Sequence, residues 1–432
     1  MSPIPSGRTL AVATLLLAAA CGGGTAAEDD SSLKAFVGAR LFDGTESIPL
    51  DRSVILVEDG RIQAIGTQGD FQIPAGIEQI DLAGRTLIPG LVNTHGHVGD
   101  VQGLESGNYS RQNVLDQLSL YARYGVTTVL SLGDDQEEGV QVRSEQMDPS
   151  LDRARLFVAG PVLDPSSAEE AVQQVQQIAE MGVDWVKFRI DSGLGAREKM
   201  TPETYRALID AAHDRGIPVA AHIVELEDAK EALRAGVDFI AHSVRDAPVD
   251  DELIALLREG RICLTPTLTR ELSTFVYGSR PDFFDDPFFL READPAVVDA
   301  LQDPARQQRT RESAAAQYWE AQLPQAMDNL RDLTDAGVRI ALGTDSGPAG
   351  RFQGYFEHLE MEMMAEAGLT PMQILLAATG NAARCVGLDD EVGTIEPGKW
   401  ADFVVLEENP LEDIRNTRTI DSVWIAGNRV PM

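Results

Sequence analysis

Cysteine, lysine and long apolar runs are all scarce in this chain of 432 residues, and each scarcity excludes something. Besides Cys21 there are only Cys263 and Cys385, too few for a disulfide framework, so the fold must rest on an apolar core. The apolar run from Leu10 to Ala20 is too short to span a bilayer, and no later segment is apolar for long enough. Positive charge is scarce too: 36 basic residues stand against 69 acidic ones, a net charge of −33. Such a surface repels nucleic acid and anionic lipid headgroups, so neither is expected as a partner. Solubility is the plain reason for it. Only five of the basic residues are lysines, which makes the position of each one informative.

What is present begins with a targeting segment. Residues 1–21, "MSPIPSGRTLAVATLLLAAAC", place Arg8 before the apolar run and end at Cys21. The polar stretch 22–33 that follows reads as a flexible tether. The segment resembles a bacterial lipoprotein signal, with Cys21 as the lipidated residue. Leu17 lies four residues before the cysteine where three is usual. Two outcomes stay open: a lipoprotein of the periplasm or outer membrane, with a lipid anchor as its sole membrane contact, or ordinary cleavage and a secreted product.

From about residue 85 to 345 one phrase recurs: a helical stretch, a glycine, an apolar strand, a polar residue. It appears as "YGVTTVLSL", "MGVDWVKFR", "RGIPVAAH", "AGVDFIAHS", "EGRICLTPT" and "AGVRIALGTD". Glycine suits a helix C-cap because it enters the left-handed region freely. The unbroken apolar runs fit parallel strands buried on both faces. With "RTLIPGLVNTHGH" and "ARLFVAGPVL" the count reaches eight, and amphipathic helices lie between most of them. The fold class expected is α/β, a (β/α)8 TIM barrel over residues 85–390. A doubly wound open sheet is the alternative, but it needs no eightfold repeat. Residues 34–84 and 391–432 read as short strands and turns, and predict a small β-sandwich built from both termini. Between the seventh and eighth strands an insertion at 270–325 reads as a lid. Its aromatics either cover an apolar ligand or pack the lid onto the barrel rim.

Polar residues gather at the C-terminal ends of five barrel strands, the face on which barrel enzymes keep their chemistry. His95 and His97 share one side of the first strand, because residues two apart on a strand point the same way. Lys187 lies toward the end of the fourth strand. His222 ends the fifth, His242 follows the sixth, and Asp345 ends the eighth. Each alone is ordinary; Asp345 alone could be a helix cap. Four of the chain's six histidines at equivalent points of one repeat is not ordinary. His213 reads as a surface residue and His358 as helix packing. An ammonium within an apolar strand is costly unless neutralised, so Lys187 needs either a partner such as Asp191 or a chemical role.

The fragments "PGLVNTHGH", "VKF", "VAAH", "FIAHS", "LGTDSG" and "GTIEPGKWADFVVL" together resemble the amidohydrolase superfamily, in the branch with two metals and a carboxylated lysine, imidazolonepropionase- and Xaa-Pro dipeptidase-like. The likeness implies that His95 and His97 bind one divalent ion and His222 and His242 the other. It implies that Lys187, as a carbamate made with CO2, bridges both, and that Asp345 touches a metal and moves protons. Burial and metal charge favour the neutral, nucleophilic amine that such a carbamate needs. Zinc suits these ligands, and manganese, cobalt or iron would fit the same shell. The implied reaction is attack of a hydroxide held between the ions on a carbonyl, with Asp345 as general base and then acid, cleaving a C–N bond.

Substrate follows less directly. Arg189 shares the inward side of Lys187 and is either a clamp for a substrate carboxylate or the partner of Asp191 or Asp134. Arg270 and Tyr277 in the insertion are further substrate-binding candidates. A clamp points to dipeptides or N-acyl amino acids. Two other functions remain open: an esterase, lactonase or phosphotriesterase on the same metals, and a non-catalytic envelope lipoprotein that binds metal or ligand. A small-molecule substrate and a homo-oligomer are expected.

Overall fold

The computed structural model describes residues 33–69 and 72–432. The expected signal segment with Cys21, and the tether up to residue 32, lie outside the described residues. No helix among the described residues is long and apolar enough to cross a membrane.

Seven parallel strands form the centre: β1 (Leu91–Gly96), β2 (Val126–Ser131), β3 (Arg155–Val158), β4 (Val186–Arg189), β5 (Val219–His222), β6 (Phe239–Ala241) and β7 (Cys263–Thr265). They pair as two arcs, β1-β2-β3 and β4-β5-β6-β7. Parallel bridges extend the arcs: Leu163 with Phe188, Leu264 with Ile340, and Ser346 with Gly96. A helix follows each of β1 to β6 before the next strand. The architecture is α/β and TIM-barrel-like.

Local chemistry explains the alternation. The helix Ala168–Met181 starts where the Ser167 side chain accepts from Glu170 N, buries Ala171, Val175 and Ile178 on one face, and ends at Gly182 with φ 79°. The helix Pro202–His213 starts on Thr201 with proline in its first turn. In "EGRIC" the left-handed position falls on Arg261 (φ 55°) rather than on the glycine before it.

The expected eighth strand is not regular. Its backbone is bonded on both sides: Ala341 N donates to Leu264 O, Thr94 N to Leu342 O, and both Thr344 N and Asp345 N to His95 O. Those bonds are unevenly spaced because the chain kinks at Asp345, whose φ is 56°. Gly343 permits the close approach, since a Cβ there would collide with Thr265 Oγ1 and crowd His95.

The flanking strands form two sheets. One is four-stranded, from residues 34–81; the other joins 40–41 and 86–89 to 403–406, 420–425 and 428–429. They share an apolar cluster in which the Phe36 ring meets Phe403 and Trp424 edge-on, at 4.7 and 4.8 Å between centroids. Arg155 of β3 ties this region to the strands of the centre. Its Nε lies 2.9 Å from Asp402 Oδ2, both side chains are buried, and its guanidinium covers the Trp400 ring at 4.2 Å.

Two open points are settled by packing. Cys263, at the start of β7, and Cys385, at the end of the helix Gly380–Cys385, form a disulfide across 122 residues. No framework exists, yet the fold brings two distant thiols together, which spacing could not show. In the insertion, Tyr277, Phe284 and Phe289 pack with Tyr124, Tyr355 and Phe356 in one cluster. Those rings seat the insertion on the rim.

Replacing Asp402 with alanine strands a buried guanidinium, and should lower the unfolding free energy by about 3–5 kcal/mol in urea denaturation. An unchanged urea midpoint would refute the tie.

Candidate active site

The strand ends converge on one cavity of about 400 Å³, lined by His95, His97, Lys187, His222, His242 and Asp345 among others. Strand register explains the convergence. Lys187 is paired with Ala220 and Arg189 with His222. Val186 and Phe188 join the main apolar core, while Ala220 belongs to a separate cluster with Phe239, Cys263 and Ala341. The two-residue period therefore turns Lys187 away from the helices.

Distances within the group are short. Lys187 Nζ is 3.2 Å from His95 Nε2. His97 Nε2 is 2.9 Å from Asp345 Oδ1, and His95 Nε2 is 3.7 Å from the same oxygen. The His242 ring lies 4.6 Å from that of His95 and 4.2 Å from that of His222. His222 Nε2 is 2.9 Å from Asp191 Oδ2. Asp191 thus faces His222, and the amine faces His95.

Burial sets the protonation states. It drives His95 and His242 well below the ordinary histidine value, and outweighs Asp191 to bring His222 down to about 3. It brings Lys187 down to about 7 against the opposing pull of Asp345. Burial also opposes the charge on His97, but Asp134 and Asp345 overcome it and lift the imidazole to about 9. Burial pushes Asp345 up; Arg351 and then His97 outweigh it and hold the carboxyl well below its usual range.

This donor set fits divalent metal. One ligand atom from each of His95, His242 and Asp345 lies within 4.8 Å of the others, close enough to hold an ion. Three neutral imidazoles, an ionised carboxylate and an amine poised to lose its proton are ligands in binding-ready form.

The supporting residues carry little signal in the sequence. Asn93 Oδ1 accepts from His95 N, and Asn93 Nδ2 donates to the buried Glu357 Oε1 at 2.6 Å. Thr344 and Ser346, on either side of Asp345, donate to that same oxygen. Thr267 Oγ1 is 2.7 Å from His242 Nδ1. His242, Thr267, Asp134 and Asp345 all sit at positive φ between 51° and 78°. Three of the four line the cavity and Thr267 holds the His242 ring, a clustering of strain characteristic of functional sites.

The other candidates divide. Arg189 and Arg270 line the cavity. Arg189 Nε is 3.9 Å from Asp191 Oδ2, the ion-pair alternative, while Arg270 Nη1 is 3.1 Å from Glu271 Oε1. Tyr277 does not line it: the ring is buried in the aromatic cluster and its hydroxyl donates to Gly350 O. The reason is that the turn carrying it, Val276–Gly278, packs the ring against Phe283 and Phe284 of the same insertion and against Gly350. Arg351, which sequence reading passed over, does line the cavity, with Nη1 2.7 Å from Asp345 Oδ2. His213 pairs with Asp238 in a half-exposed position, and His358 is buried between Thr417 and Tyr124 O.

His97 carries its proton beside Asp345 up to about pH 9, so an ion held by that imidazole would have to displace it. Metal affinity should therefore strengthen by up to about tenfold per pH unit between pH 7 and 9, then level off. Chelator competition at several pH values measures it, and a flat profile over that range would contradict the assignment.

Comparison with known proteins gives a family and several relatives. A family model described as "Amidohydrolase family" matches residues 86–430. Ochratoxinase from Aspergillus niger is 26% identical over 280 residues, covering 62% of this chain and 51% of that protein. The chain thus matches about half the length of that relative. Imidazolonepropionase from Deinococcus deserti is 38% identical over 104 residues, 23% of this chain and 26% of that protein. A solved Xaa-Pro dipeptidase with methionine bound in its active site superposes with a TM-score of 0.75 at 24% identity, over 93% of this chain and all of its own.

Proposed function

The chain belongs to the amidohydrolase family, and from that premise we propose that it is a metal-dependent hydrolase of C–N bonds, acting on dipeptides or N-acyl amino acids. One observation carries the reading: a lysine amine brought to about pKa 7 by burial, 3.2 Å from a histidine ligand candidate and inside a ring of imidazoles and a carboxylate. Two divalent ions, zinc being the best match, would be held by His95, His97, His222, His242, Asp345 and Lys187. Bound there, they would supply a Lewis acid for the scissile carbonyl and acidify the attacking water.

The chain's own groups do the rest. The neutral amine of Lys187 adds carbon dioxide and releases a proton, giving an anionic carbamate in place of a buried cation. Asp345, kept ionised, accepts a proton as water attacks the carbonyl carbon. It returns that proton to the nitrogen as the C–N bond breaks. Asn93, Thr344 and Ser346 on Glu357 keep His95 and Asp345 in register through that transfer. The Cys263–Cys385 bond supports export, with or without an anchor at Cys21, since such bonds persist in oxidising compartments. In this reading the two arcs form one barrel, and the terminal sheets one small sandwich.

The metal-loaded protein should hydrolyse members of a panel of dipeptides and acyl amino acids in preference to lactones and paraoxon-type esters. Lys187→Ala should cut amide hydrolysis on the order of 10³-fold or more, with fewer bound ions by elemental analysis. Full activity in that variant, or turnover of esters alone, would overturn the proposal.

A further inference from the structure

The wall of the cavity beside Asp345 holds more positive charge than it neutralises. Three guanidiniums meet there. Arg245 is fully buried with Nε 2.9 Å from Glu271 Oε1, and Arg270 Nη1 reaches the same oxygen at 3.1 Å. Arg351 Nη1 is 2.7 Å from Asp345 Oδ2, and Arg270 Nε is 4.0 Å from it. Glu271 and Asp345 are the two carboxylates among them. The nearby buried Glu360 is turned instead to Leu268 N, Thr269 N and the Thr269 hydroxyl. In direct ion pairs three guanidiniums thus share two carboxylates, and the two that line the cavity are Arg270 and Arg351.

Both are anchored by contacts other than the carboxylates. Arg245 and Arg270 lie over the Trp319 ring, at 4.7 and 4.5 Å from its centroid, which steadies a guanidinium that lacks a full counter-charge. Arg351 is fixed at Nε by the Ser273 hydroxyl at 3.1 Å, and its Nη1 donates to the Asp345 backbone oxygen at 3.3 Å as well as to the carboxylate, so the guanidinium keeps two anchors when its carboxylate partner changes. Arg189, across the cavity on β4, has the nearby carboxylate of Asp191 and is more exposed.

We propose that Arg270 and Arg351 form the subsite for a carboxylate on the leaving half of the substrate, and that Arg351 gives up Asp345 to take that carboxylate. The proposal rests on the hydrolase reading above, in which Asp345 hands its proton to the leaving nitrogen. The leaving half must therefore lie against Asp345, and Arg351 is its neighbour. A guanidinium fork matches a carboxylate in bidentate fashion, so the exchange replaces one charge-assisted contact by another. It also selects substrate twice. A carboxylate improves binding, and its arrival frees Asp345 Oδ2 from the arginine. An amide lacking the carboxylate leaves Arg351 on Asp345 and is turned over slowly even when bound.

The test compares an N-acyl amino acid or dipeptide with its C-terminal carboxamide. In the unmodified enzyme the carboxamide should show both a higher KM and a lower kcat. Arg270→Met should raise KM for the acid roughly tenfold to a hundredfold with a much smaller change for the carboxamide. Arg351→Met should remove the kcat difference between the two forms. Equal losses on acid and carboxamide in both variants, or an unmodified enzyme indifferent to the carboxylate, would overturn the subsite. A second measurement needs no turnover: calorimetric binding of N-acetyl-L-leucine against N-acetyl-L-leucinamide to the metal-loaded protein. The acid should bind at least about tenfold tighter, and the double variant should abolish the difference; equal binding to the unmodified protein refutes the proposal. If neither form is hydrolysed but the acid binds selectively, the hydrolase reading fails and the subsite stands.

Discussion

Asp345 is buried at positive φ with cationic or imidazole nitrogens on both carboxylate oxygens: His97 and His95 on Oδ1, Arg351 and Arg270 on Oδ2. These partners come from the first strand, the loop after the irregular eighth segment and the insertion. A single anion thus fixes three parts of the chain at the cavity mouth. Removing it would leave uncompensated positive charge in a low-dielectric setting, where each such charge is costly. Its own position is set from behind by Glu357, whose Oε1 collects Asn93, Thr344 and Ser346. One buried carboxylate holds the scaffold and a second faces the cavity.

Charge is distributed against the grain of the molecule. The chain as a whole carries −33, yet four arginines and a lysine line the cavity, with three aspartates. Exposed charges more than about 8 Å away are screened at physiological salt, whereas groups lining a cavity are screened much less. The acidic exterior therefore dominates at a distance, and the arginines dominate the charge inside the cavity. A cation-rich wall is compatible with divalent ions bound beside it only if the ligands are themselves anionic or neutral. That requirement gives Lys187 its significance, because a protonated amine between His95 and the other imidazoles would oppose metal binding and a carbamate would promote it.

Much of the scaffold was legible because each element carries its own local signal. Glycines at 125, 182, 216, 236 and 337 adopt positive φ at the turns between helices and strands, and β2, β4, β5, β6 and β7 appear where unbroken apolar runs place them. The histidines and Lys187 were legible as candidates because strand periodicity fixes their direction. What escaped depends on contacts between distant segments. Arg351 sits in "SGPAGR", which reads as an ordinary loop, and gains its meaning only from folding back onto Asp345. Tyr277 looked available for ligand because its aromatic neighbours were unassigned, but the rings prefer each other. Cys263 and Cys385 are separated by 122 residues and meet through the packing of a late helix against the start of a strand.

The eighth segment shows why the remaining irregularity is concentrated where it is. A regular parallel strand would send alternate side chains inward and outward, and would pair evenly with both neighbours. Here His95 O receives two successive N–H groups, from Thr344 and Asp345. This is possible because Gly343 lets the backbones approach and Asp345 accepts a left-handed conformation. The kink rotates Thr344 and Ser346 onto Glu357 while aiming Asp345 into the cavity. His242 and Thr267 repeat the device at the ends of β6 and β7, again at positive φ and joined to each other. In each case strain of order 1–3 kcal/mol per residue is sustained by hydrogen bonds to buried partners. Regular strands supply the rigid frame, and departures from regularity at their ends decide which atoms face the cavity.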